Sequence, residues 1–312
     1  MSCSDMVESP YPSILFQKTA SLPDIGRASA VAFVVNGKGY VTLGRNSNAS
    51  DSLKDCWQYD PVLDNWTKKA SFPGVARVKA IAVVVNDKAY VGLGFNRHKG
   101  AYSGGTLQDF WMYDPVFDHW TRKADFPSTA TDASVSFVRN NSIYVGAGFN
   151  GSAYTNEFWK YNPDQDSWVR LKDFPAWARM CAVLCADENH VYFGTGYRFE
   201  DYNDWWEYFP ATDSWARRKD MPDKGRVTSV GFSIANRYFV ASGRHWGGPQ
   251  TGGKLLSNIM EYDANRNTWY KRGDIPGGAR ENAVCFVING KAYIGQGENN
   301  TDIINDFWSF EP

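Results

Sequence analysis

The chain has 312 residues, a formal charge of −1, five cysteines and 16% aromatic residues, and no apolar run nears the roughly 18 residues that cross a bilayer as a helix. So balanced a charge excludes the bulk positive field that recruits nucleic acid or anionic membranes. No linker, charge block or low-complexity stretch divides residues 16 to 312, so the length points to one large domain.

Residues 1–13 are expected to form a disordered leader, ahead of a single domain over 14–312. Within it, Ser2-Cys3-Ser4-Asp5 resembles the mature start of a bacterial lipoprotein whose signal peptide has been removed. That resemblance implies an exported protein, in the periplasm or at the cell surface, with a lipid anchor at Cys3; the alternative is an incidental tail cysteine. Cys56, Cys181, Cys185 and Cys285 read as small buried hydrophobes. Cys181 and Cys185, four apart in an expected strand, stand about 13 Å apart and too far to bridge.

From Pro23 onward one spacing repeats six times. A proline is followed twenty-one positions later by a glycine, at Pro23/Gly44, Pro73/Gly94, Pro127/Gly148, Pro175/Gly196, Pro222/Gly243 and Pro276/Gly297. A second spacing interlocks with it, an aromatic seven before a tryptophan and the tryptophan seven before the next proline, as in Tyr59–Trp66–Pro73 and Tyr113–Trp120–Pro127. Periods near fifty residues signal an array of identical supersecondary units.

One unit, residues 77–127, reads as four strands. Val78–Val85 is an apolar run suited to a strand covered on both faces, and Asn86-Asp87 is a tight-turn pair. Lys88–Gly94, Asp109–Tyr113 and His119–Asp125 follow as the second, third and fourth strands. No helical period appears, so each unit is an antiparallel four-stranded meander, a propeller blade. The sixth unit ends at Pro312 before its fourth strand, while Phe16 fills the tryptophan slot seven before Pro23. The predicted fold is therefore an all-β, six-bladed propeller whose N-terminal strand completes the last blade and removes the open edge.

The small-x-Gly end of the second strand, the Asp-x-Trp-x-Tyr-Asp-Pro string and the tryptophan seven on resemble the kelch repeat, bacterial secreted type, as in Asp109–Pro115 and Glu157–Pro163. The kelch Gly-Gly doublet appears here as Gly92-Leu93-Gly94 or Gly194-Thr195-Gly196.

Length varies at one place only. From the glycine to the next aromatic the gaps are 15, 19, 13, 12, 19 and 13 residues, so the loop between the second and third strands varies and its face is the working face. Four residues past the prolines stand Arg27, Arg77, Arg179, Arg226 and Arg280, with Thr131 in the third unit. They are expected to crowd the channel mouth as anion donors, or to be neutralised by carboxylates and carbonyls as packing arginines. Residues after the glycines should ring the mouth: Arg45, Phe95, Phe149, Tyr197, Arg244 and Glu298. Longer loops add Tyr102, Tyr154, Phe199, Tyr202 and His245. Trp177 and Trp246 are read as stacking platforms, and Arg45, Arg244 and Glu298 as orienting polar groups. The Gly247–Gly253 stretch leads into strand and reads as a rim loop rather than a phosphate loop.

The resemblance raises two enzyme readings. Galactose-oxidase-like copper chemistry needs two histidines and two tyrosines on one face; of the four histidines, His119 and His190 fall on the opposite face, leaving only His98 and His245, and no metal or other cofactor is expected. Resemblance to sialic acid (N-acetylneuraminate) mutarotase implies a glutamate directly after a strand-ending glycine, which Glu298 matches, and an arginine six residues later, where Ile304 stands. On that reading Glu298 is catalytic and Arg27 or Arg280 substitutes for the missing arginine. The expectation carried forward is non-catalytic binding of an acidic glycan or acidic protein segment by a monomer. A mutarotase-like isomerase and a protein-interaction scaffold are the alternatives.

Overall fold

The structure, a computed structural model, describes residues 9–23, 25–47, 52–97, 105–129, 131–247 and 252–312. Cys3, His98, Tyr102 and positions 248–251 of the glycine-rich loop lie outside the described residues.

Six four-stranded antiparallel sheets form in chain order: blade I over 31–69, II over 81–123, III over 135–170, IV over 183–218, V over 230–274, and VI over 284–311 with 15–19. In blade II the strands are Ile81–Val85, Lys88–Gly92, Phe110–Asp114 and His119–Lys123. The innermost strands alternate buried and half-buried residues, Val31, Phe33 and Val35 packing between blades while Ala32 lines the central channel. Each innermost strand packs beside the next in a closed circuit of six. Leu15–Thr19 pairs with Phe307–Glu311, so the N-terminal strand closes the ring. Phe16 meets Phe310 with ring centroids 5.0 Å apart, standing in for the tyrosine–tryptophan pairs of the other blades, such as Tyr113–Trp120 at 4.8 Å.

Those pairs also staple neighbouring blades. Tyr113 Oη donates to Asp118 Oδ1 at 2.6 Å, and the same oxygen accepts Ala70 N–H from blade I at 2.9 Å. Trp120 Nε1 donates to the carbonyl of Ala70, also at 2.9 Å. The glycines hold the other end. Gly94 sits at φ +93°, a Cβ there would lie 2.7 Å from Val78 O, and its N–H donates to Thr131 O of the next blade at 2.9 Å. All six glycines donate in this way to the residue four past the next blade's proline, Gly297 closing the ring on Arg27 O.

Besides shifts of one or two residues at the ends of the later strands of blade II, two boundaries differ from expectation. The strand expected at Val78 begins at Ile81, because Lys79 is left-handed (φ 54°), as are Ser29, Ala133, Cys181, Thr228 and Asn282. Their backbones bond around the mouth, Lys79 N–H to Ser29 O at 3.0 Å and Ala133 N–H to Lys79 O at 3.1 Å. Cys181 therefore belongs to this mouth ring, not to a strand. The end of the expected leader is also packed: Tyr11 lies against Arg237 (4.3 Å) and bonds Asp263 Oδ2 at 3.2 Å, while Arg272 Nη2 donates to Pro12 O at 2.7 Å.

Candidate functional site at the channel mouth

The five periodic arginines do not line an open funnel. Arg27, Arg77, Arg179, Arg226 and Arg280 are each 0% exposed. Arg77 forks onto Asp109 with both contacts at 2.7 Å, and its Nη1 also donates to Leu93 O at 3.0 Å. Arg27–Asp55, Arg179–Asp204 and Arg280–Asp306 repeat the fork. Burial opposes ionisation of Asp55, Asp109 and Asp306, but the hydrogen bonds and charge of their arginines outweigh it and hold each carboxyl below its usual range. Blade V has Asn258 in the aspartate's place, and Arg226 turns to Asp223 instead. Blade III has Thr131 for the arginine, and its Glu157 takes Ser128 Oγ at 2.5 Å. These arginines therefore do not stand at the mouth as anion donors: each is wholly buried, with its Nη groups spent on a carboxylate and a backbone carbonyl.

The residues after the glycines do bridge to the start of the innermost strands and ring the mouth: Arg45 to Ala28, Phe95 to Val78, Phe149 to Asp132, Tyr197 to Met180, Arg244 to Val227 and Glu298 to Glu281. They divide by kind. Blades V, VI and I contribute Arg244, Glu298 and Arg45; blades II, III and IV contribute Phe95, Phe149 and Tyr197. The charged half is interlocked. Glu298 takes Arg45 Nη2 on Oε2 and Asn282 Nδ2 on Oε1 at 2.8 Å. Glu281 takes Arg244 Nε on Oε1 at 2.9 Å and Thr228 Oγ1 on Oε2 at 2.9 Å. Arg244 Nη2 also donates to Asn300 Oδ1 at 2.9 Å.

Arg97, which sequence reasoning missed, joins this half. Burial first, and then the like charge of Arg45, push its guanidinium below its ordinary value, while Glu298 pulls the other way. Two guanidiniums therefore share the field of one carboxylate. The signal was its place three residues past Gly94, in one of the two longest rim loops. Glu281 and Asn282 were missed as well, although they directly follow Arg280.

On the aromatic half Tyr154 bridges Phe149 (5.1 Å), Tyr197 (6.2 Å) and Phe199 (6.1 Å). Tyr202 lies against Arg179, 4.3 Å from its guanidinium. Trp177, 65% exposed, shares a lateral cleft with Trp206 and Arg217 of the outer strands of blade IV. Trp246, 37% exposed, follows His245, whose Nδ1 lies 2.8 Å from Asp201 Oδ2. Among the described residues no group of three or more His, Cys, Asp or Glu side chains is placed to hold a metal ion, and no helix is long and apolar enough to cross a membrane.

Comparison with known proteins bears on the scaffold. Residues 134–175 match the Kelch motif. That match spans blade III, and the proline–glycine spacing of that blade recurs in the other five. The solved structure of a protein called YjhT superposes with a TM-score of 0.77, covering 94% of this chain and 99% of its own at 17% identity. At that identity the likeness is one of fold. No curated protein matches the chain by sequence.

Proposed function

We propose that the channel mouth binds an acidic sugar, its carboxylate met by the Arg45–Arg97 pair and its ring set against the aromatic half of the rim. The observation that carries this is the Arg45–Glu298 ion pair at the mouth with Arg97 close enough for the charges of both to act on it, a local surplus of positive charge beside Phe95. The chain as a whole is near neutral, so this surplus belongs to the site and not to the general surface. Calorimetric titration with N-acetylneuraminate, glucuronate and galactose tests it. Binding of an acidic sugar that weakens with salt, with galactose inert, is expected; equal binding of galactose, or silence from both acids, would overturn it.

A second reading, catalysis of anomer exchange, is favoured by the double hold on Glu298. Arg45 and Asn282 fix its two carboxylate oxygens separately, which is how a proton-transferring carboxylate is oriented. Where the resemblance to the mutarotase lacks its arginine at Ile304, Arg45 from blade I supplies a guanidinium; Arg27 and Arg280 are sealed. Glu298 takes the anomeric hydroxyl proton as the bond from the anomeric carbon to the ring oxygen breaks, the departing ring oxygen takes a proton from water, and both transfers reverse when the ring closes on the other face. NMR exchange rates of N-acetylneuraminate anomers, abolished in Glu298→Gln, are the expected result; no acceleration by the unaltered protein leaves binding alone.

A further inference from the structure

The lateral cleft of blade IV is built from parts that recur around the propeller, and one part does not recur. In each of blades I, II, IV and VI an aspartate accepts the Nε1 proton of a tryptophan two residues on, as Asp204 does from Trp206 at 2.8 Å and Asp109 from Trp111 at 2.7 Å. A lysine or arginine of the outermost strand lies over each indole, Arg217 over Trp206 and Arg122 over Trp111, both at 5.9 Å. In blades II and IV the residue two past the repeat proline forms the opposite wall, and its carbonyl is held by the buried arginine: Arg77 Nε donates to Val75 O at 2.8 Å, and Arg179 Nε to Trp177 O at 3.0 Å. The side chain at this position varies from blade to blade, being Ile25, Val75, Thr129, Trp177, Lys224 or Gly278. Only blade IV places an indole opposite the structural one.

We infer that this cleft is a second, separate carbohydrate subsite that takes a neutral sugar ring, stacked on Trp177. An indole left 65% exposed gains nothing for the fold by that exposure, whereas the apolar C–H face of a pyranose covers it well. The polar lining selects hydroxyl donors. Glu200 and Asp201 line the cleft, Asp201 is 2% exposed in its side chain, and its Oδ1 is buried without a partner. Of the two cations beside the cleft, Arg217 is held by Asp220 at 2.7 Å and Arg198 lies against the Trp177 ring, while Glu200 and Asp201 leave the lining acidic. A carboxylate-bearing sugar is therefore repelled here and drawn to the mouth, while a neutral one finds acceptors and a stacking face. The two sites adjoin through three consecutive residues: Tyr197 stands on the rim, and Arg198 lies 5.3 Å from Trp177 and 5.1 Å from Phe199.

The test is an NMR titration of the full chain, labelled at its indole nitrogens, with cellotriose, mannotriose and chitotriose. At least one trisaccharide is expected to move the Trp177 indole signal saturably. Trp177→Val, which copies the blade II groove, should weaken that binding about ten-fold or more while the other indole signals stay in place, and Arg45→Ala should leave it unchanged. Silence at Trp177 with all three sugars, equal binding by Trp177→Val, or a response to tetramethylammonium in place of sugar each overturns the proposal. Because the mouth is read with Arg45→Ala and acidic sugars, failure of either site is told apart from failure of the other.

Discussion

Two sets of arginines stand close together on the loop face, and their environments are opposite. Arg77 and its four counterparts recur with the blade, lie wholly out of water and spend their donors on an aspartate and a carbonyl of their own blade or, in blade V, on Asp223. Arg45, Arg97 and Arg244 stand in only some of the blades and keep partial exposure, and two of them reach across blade boundaries, Arg244 to Glu281 and Arg45 to Glu298 across the ring closure. A group repeated with the fold serves the fold. A group that breaks the repeat, on the face where loop length also varies, is where recognition is built.

The sharpest way to break that comparison is to truncate one arginine of each set. Arg77→Ala leaves Asp109 partly buried and uncompensated, and should cost about 3–5 kcal/mol of unfolding free energy. Arg45→Ala breaks a more exposed pair and should cost under about 1 kcal/mol. Urea denaturation of the two variants measures both; equal losses would erase the distinction between scaffold and site. The order reverses for ligand. Removing the Arg45 or Arg97 guanidinium deletes charged hydrogen bonds of roughly 1.5–3 kcal/mol, about 10- to 100-fold in the affinity for an acidic sugar. Titration of Arg97→Ala with N-acetylneuraminate and glucuronate reads that loss, and an unchanged affinity would place the anion elsewhere.

Most of the scaffold was legible in the sequence, and for a physical reason: the residues that carry the pattern are those with one permitted geometry. Gly94 is required by a positive φ and by Val78 O, and Trp120 with Tyr113 by the staple between blades, so their spacing cannot drift. The site was legible only in part. The face and the rim positions came from loop-length variation, but the periodic arginines were read as donors because their partners sit in another stretch of the repeat. The clue was the aspartate four residues before the repeating third-strand aromatic, Asp55, Asp109, Asp204 and Asp306, present where the arginine pairs with it and replaced by Asn258 or Glu157 where it does not. Arg97 and Asn282 carry no repeating signal. Their role rests on which blades meet, and that is known only once the ring is closed.

Acid titration sharpens the comparison at smaller amplitude. Asp55, Asp109 and Asp306 have folded values below their unfolded ones, so the stability they confer is present above the unfolded carboxyl value of about 3.9 and is lost as pH falls through the folded values. Asp132 at the mouth ring is the reverse: burial raises its value despite Lys79, and its Oδ1 is buried with no partner. Its contribution is favourable below the unfolded value and is lost as pH rises through the folded one. Asp132→Asn should therefore raise the melting temperature at pH 7, with the gain vanishing near pH 3, as scanning calorimetry at the two values can show. A lower melting temperature at pH 7 would mean that the carboxylate is needed by the ring.

The smallest effect tests the staple. Tyr113→Phe removes one hydroxyl from a fully buried ring, and Asp118 keeps its other donor, the Ala70 N–H. With that acceptor still satisfied, the loss should stay near 1 kcal/mol, well below the arginine truncation. The same change in blade V, Tyr262→Phe, removes a bond to Asn267 Oδ1 at 2.8 Å, a neutral acceptor in place of a carboxylate, and should cost less again. Thermal denaturation of the pair separates the two, and a larger loss in blade V would mean that the tyrosines act through ring packing and not through the hydroxyl.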